Sequence, residues 1–141
     1  MKNIYEIFDE FEEAEGKKEK IQVLNDNMSN VLYTVLKLVF DAPNINWYVK
    51  ELPGNYNPKE IPAGMSYARL STEMRKLYLF QKGNQTADSL TEKKREQLLL
   101  EYLENLEPRE AEVVMGIFNK DLGVKGLTPK FIKENFPALF N

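Results

Sequence analysis

Apolar residues recur at helical spacing along nearly the whole chain, and no stretch keeps a strand's every-second-residue alternation for long. Ile4, Ile7, Phe8 and Phe11 mark a first amphipathic stripe. Gly16 breaks it, and Ile21 and Leu24 begin a second helix that Asn25, Asp26 and Asn27 weaken, because short polar side chains compete for backbone hydrogen bonds. Val31, Leu32, Val35, Leu36, Val39 and Phe40 predict a more fully buried helix, closed by Pro43. A short aromatic element, INWYVKEL, ends at Pro53. Residues 53–64 carry three prolines and two glycines and read as an irregular surface loop. Leu70, Met74, Leu77 and Tyr78 predict a further helix, stopped by Gly83.

The last third has the clearest punctuation. Thr91 is placed to cap a helix whose face is Leu98, Leu99, Tyr102, Leu103 and Leu106. Pro108 suits a first helical position; Ala111, Val114, Met115, Phe118 and Leu122 follow, and Gly123 suits the left-handed residue after the last turn. Thr128 then caps, Pro129 starts the next helix, and Leu127 staples against Ile132. The pattern predicts an all-α, compact multi-helix bundle, a single domain over 1–141 without internal repeats. Its length of 141 residues and hydrophobic fraction of 43% suffice for one core.

Composition narrows the chemistry. Cysteine and histidine are both absent, so disulfides, thiolate nucleophiles, imidazole bases and the commonest metal ligands are excluded. Asp9, Glu10, Glu12, Glu13 and Glu15 lie opposite the first apolar stripe and read as a solvated acidic surface. Gly16-Lys17-Lys18 lacks the first glycine and the hydroxyl of a phosphate-binding loop. No cofactor or metal is expected, and the chain reads as a non-enzymatic binding module. Its acidic N-terminus is unlike a secretory leader, and the apolar run from Val31 to Phe40 is too short and too polar to span a bilayer, so a cytoplasmic location without membrane contact is expected.

The net charge of −3 gives no global basic signal, but the distribution is uneven. Residues 1–27 hold four basic and eight acidic groups, whereas 119–133 holds four lysines (Lys120, Lys125, Lys130, Lys133) against Asp121 alone. Three basic or polar turns open helices: Gly16-Lys17-Lys18 with Lys20 beyond, Lys82-Gly83-Asn84-Gln85-Thr86, and the turn from Lys125 to Lys130. Unpaired N–H groups at a helix start suit a phosphate oxygen, and Thr128 adds a hydroxyl. Ordinary hairpins with solubilising lysines remain an alternative for each turn. Trp47 and Tyr48 admit base stacking, but their helical spacing with Leu52 and the adjacent Pro53 favours core packing.

The order of KKEKIQVLNDN, an apolar helix ending LVFD, INWYVKELP, the KGNQTA turn and EAEVVMGIFNKDLGVKGLTPKFIKENFPALF resembles the N-terminal DNA-binding domain of ATP-dependent DNA ligases, particularly the short phage type. In that family the domain is helical and grips duplex DNA through its backbone. The resemblance implies contacts from Lys17, Lys18, Gly83, Asn84, Thr86, Lys120, Lys125, Gly126, Thr128 and Lys130. It also implies a phage-encoded protein working in the host cytoplasm. Two departures accompany it. No Lys-x-Asp-Gly nucleophile motif is present, so ligation is not implied, and the acidic first helix must face away from DNA unless DNA binding has been lost. A protein-interaction module on the same fold, such as a host-takeover or accessory factor, is the second expectation. The acidic cluster alone would support a third, a small hydrolase.

Overall fold

A computed structural model describes residues 2–58 and 68–140. Among these residues lie eight α-helices: α1 (Ile4–Glu13), α2 (Lys17–Asp26), α3 (Asn30–Phe40), α4 (Leu70–Glu73), α5 (Gln85–Ser89), α6 (Glu92–Asn105), α7 (Pro108–Asn119) and α8 (Pro129–Asn135). Two 3₁₀ segments, Met74–Phe80 and Pro137–Phe140, complete the helical content. The all-α expectation holds, and no described helix is long and apolar enough to cross a membrane.

Helix starts obey local chemistry. The Thr91 hydroxyl accepts the Lys94 N–H at 3.1 Å, and the Thr128 hydroxyl accepts that of Phe131 at 3.1 Å. Pro108 and Pro129 occupy first turns, where the missing N–H costs nothing. Leu127 and Ile132, the expected staple pair, both lie in the core.

α7 is the centre. It packs against α1, α3 and α6, and Val113 and Ile117 are buried along with Ala111, Val114, Met115 and Phe118. Helices on several sides make it buried nearly all round, wider than a single amphipathic stripe. An Arg109–Asp9 ion pair at 2.7 Å adds a polar clasp between α7 and α1.

Four sequence expectations change. INWYVKEL is extended, not helical: Trp47 forms an antiparallel bridge with Gln81, and the Tyr48 N–H donates to the Phe80 carbonyl at 2.8 Å. The helix expected over Leu70–Tyr78 is one turn of α4 followed by the tighter 3₁₀ segment. α7 ends at Asn119, before Leu122, because Lys120 takes the left-handed conformation (φ 56°). Gly123 is also left-handed (φ 67°) but lies beyond the helix. Tyr56, expected on the surface, is half-buried against the core. Of the loop 53–64, residues 53–58 are irregular as expected, and 59–64 lie outside the described residues.

Glu110 is buried on α7 (3% exposed), where its Oε2 accepts the Leu70 N–H at the start of α4, at 3.2 Å. Burial pushes its carboxyl above the ordinary glutamate value, and the Leu70 bond only partly offsets this. A carboxyl with a raised folded-state pKa stabilises least when both states are ionised. Its unfavourable contribution is complete above the raised value and vanishes below the ordinary one. Glu110→Gln keeps an acceptor for Leu70 and removes the buried charge. It is expected to gain about 1 kcal/mol at about pH 7 and to lose that advantage towards about pH 4. Urea denaturation of both proteins at the two pH values checks this.

Candidate nucleic-acid interface

Two of the three basic turns meet. Gly16 (φ 87°) admits the chain into α2, whose first residues Lys17 and Lys18 are exposed. One turn on, the Lys20 ammonium donates to the Phe11 and Glu12 carbonyls at 2.7 and 3.4 Å, satisfying the orphan end of α1. The same ammonium lies 4.9 Å from the Phe11 ring centre, and Phe11 meets Phe131 of α8 edge-on at 5.3 Å.

α8 is therefore held against the α1–α2 corner. Gly126 (φ 87°) makes the closest approach: a Cβ there would lie 3.6 Å from the Phe11 ring and 3.9 Å from Lys20 Cε. Gly16, Lys17, Lys20, Gly126, Thr128 and Lys130 line a shallow groove of about 360 Å³. Phe131 and Glu134 complete its lining. Lys130 and Thr128 are exposed, as is the Lys125 side chain beside them. An open trough rimmed by ammonium groups suits a strand of phosphates better than a small enclosed ligand.

The acidic helix does not turn away from this groove. Glu12 Oε2 accepts the Lys125 N–H at 3.2 Å, so the C-terminal end of α1 borders the third turn. One backbone donor of that turn is thereby occupied.

The second turn has its own environment. Asp88 accepts the Tyr48 hydroxyl at 2.5 Å and the Gly83 N–H at 3.0 Å, bonds that hold its carboxyl below the usual range and raise the Tyr48 hydroxyl. Asn84 Oδ1 accepts the N–H groups of Thr86 and Ala87 at 3.0 and 3.2 Å. Donors of Gly83 and Thr86 that would meet a phosphate are thus satisfied within the chain. Among the described residues, this turn shares no hydrogen bond with the other two. Lys120 also stands apart, its ammonium donating to the Ala42 carbonyl at 2.6 Å.

The aromatic pair divides. Trp47 is core (2% exposed), tilted against Phe118 at 5.1 Å. Tyr48 is half-buried beneath the Arg95 guanidinium, 3.7 Å from its ring centre. Lys20 is the residue whose place in the groove sequence reasoning did not assign, although its spacing from Lys17 sets both on one helical face. No described group of three or more acidic side chains is arranged to hold a metal ion.

No curated protein matches the chain. A family model described as a family of unknown function, DUF6433, matches residues 7–124, and the chain belongs to that family.

Proposed function

We propose that the protein is a non-catalytic module that binds duplex DNA through its phosphate backbone, largely without regard to sequence. The observation that carries this reading is the meeting of Lys17, Thr128 and Lys130 in one open groove, with Lys18 and Lys125 exposed on the same two turns; Lys20 also lines the groove, but its ammonium is held by the end of α1. The resemblance to the ligase DNA-binding domain supports it independently. With Lys120 and the Gly83–Thr86 donors committed to internal bonds, the interface is the α2–α8 face. Glu12 and Glu134 at its margin limit affinity.

Fluorescence anisotropy of a labelled duplex across salt tests the proposal. About four phosphate contacts give a slope near −4 in log affinity against log salt. Lys125→Glu with Lys130→Glu is expected to weaken binding about tenfold or more, on an intact fold because both side chains are exposed. Absence of binding at low salt, or affinity unchanged in the double variant, would refute it.

A further inference from the structure

A second groove lies between the extended segment after Trp47 and the first turns of α6. At about 580 Å³ it is larger than the lysine groove and within the range of roughly 300–1,000 Å³ typical of ligand sites. Its apolar lining is Val49, Pro53, Leu99 and the Tyr48 ring, and the adjoining Leu52 is 49% exposed.

The charges around this lining are unevenly committed. Both cations are already engaged: Lys50 donates to the Phe118 carbonyl at 3.3 Å, and Arg95 donates to those of Ala87 and Leu90 at 3.0 and 3.2 Å while covering Tyr48. The three carboxylates are not. Glu51 on one wall, with Glu92 and Glu96 on the other, are exposed and make no hydrogen bond or ion pair among the described residues. Some other surface carboxylates find cationic partners, as Glu10 does with Lys2 and Asp9 with Arg109, whereas Glu13, Glu101 and Glu134 stand exposed like the three of the groove. Glu92 is favoured by its place at the start of α6, but Glu96 follows it at i+4, where like charges destabilise a helix.

We infer that this groove docks a lysine- or arginine-bearing segment of another protein. An apolar side chain of the segment packs on Pro53 and the adjoining exposed Leu52, and its cationic neighbours reach Glu51 on one side and Glu92 and Glu96 on the other. Charge complementarity selects this occupant: the groove's uncommitted ionic groups are carboxylates, which repel nucleic acid and acidic peptides and attract donors. The surface is separate from the lysine groove, so the inference stands whether or not the protein binds DNA.

The test uses the full chain and a fluorescein-labelled peptide of alternating lysine and leucine, with an all-lysine peptide and an alternating glutamate–leucine peptide as controls. Saturable binding of the lysine–leucine peptide is expected, about tenfold tighter than the all-lysine peptide, with none for the glutamate–leucine peptide. Glu92→Lys with Glu96→Lys, at two exposed positions, should weaken it about tenfold, while Lys125→Glu with Lys130→Glu leaves it unchanged. Equal affinity for the all-lysine peptide, or no effect of the double glutamate substitution in a variant of native circular dichroism, overturns the inference. So does a protein that binds no peptide and instead doubles its mass with concentration in light scattering, since the groove's occupant is then a second copy.

Discussion

Phe118→Ala is expected to destabilise the protein by about 3–5 kcal/mol, a large part of the roughly 5–15 kcal/mol that holds a domain of this kind together. Phe118 is fully buried, and its ring meets Trp47 at 5.1 Å and Phe80 at 5.8 Å. Those three rings come from α7, the extended segment and the 3₁₀ segment, so alanine would leave a void that no single neighbour can fill. The Phe118 carbonyl also accepts the Lys50 ammonium, which ties the same segment to the end of α7. Urea denaturation followed through the emission of Trp47, the chain's one tryptophan, reads the loss directly. A cost below about 1 kcal/mol would mean that the aromatic contact carries little of the packing. Phe118→Leu should lie between the two proteins, since it retains part of the volume.

This aromatic junction shows why the sequence was legible in some places and not others. Thr91, Pro108, Thr128 and Pro129 act on backbone groups within a few residues, so their roles could be read locally. Trp47 and Leu52 could not be read in that way. Over a run so short, helical and extended spacings both accommodate the apolar positions, and the bridge to Gln81 decided between them. The end of α7 was hidden for a related reason. Gly123 has the expected left-handed backbone, yet Lys120 takes that conformation three residues earlier. It is supported there by its ammonium on Ala42 and by the Asn119 amide, which donates to the Lys50 carbonyl. Long-range bonds offset a strain that local preference would have avoided.

The lysine groove divides along the same line. Lys17, Lys18, Lys125 and Lys130 were recognisable as exposed cations in helix-opening turns. That two of the turns would share a face depends on Phe11 meeting Phe131, a contact across 120 positions of chain that no local pattern encodes. Asp88 presented the opposite difficulty. Nothing in its spacing marks a carboxylate that occupies the very donor, Gly83 N–H, which a phosphate would need.

Gly116→Ala is expected to destabilise despite alanine's advantage in a helix interior, which is about 1 kcal/mol in an open setting. A Cβ at Gly116 would lie 3.0 Å from the Asp121 carbonyl oxygen and 3.1 Å from Leu122 Cα. Both are backbone atoms, so rotation of a side chain cannot relieve the contact; the Leu122 Cδ2 atom at 3.2 Å could move more readily. The chain is held there because the Asp121 N–H donates to the Gly116 carbonyl at 2.9 Å, folding 120–122 back over the helix end. Overpacking of this sort costs about 1–3 kcal/mol, which leaves a net loss of up to about 2 kcal/mol after the gain in helix propensity. Gly54→Ala is the control. Its Cβ meets nothing within 4 Å, and its expected effect is within about 0.5 kcal/mol. Paired urea curves decide the balance. A Gly116→Ala protein as stable as the original would show that residues 120–122 yield freely. In that case the turn from Gly123 to Lys130 is not anchored through them, and Gly126 keeps its place beside Lys20 through the Glu12–Lys125 bond, the buried Leu127 and the Phe11–Phe131 contact. Amide spectra should then show little change at Lys125 and Gly126, whereas a rigid anchor would carry the displacement of Asp121 into both.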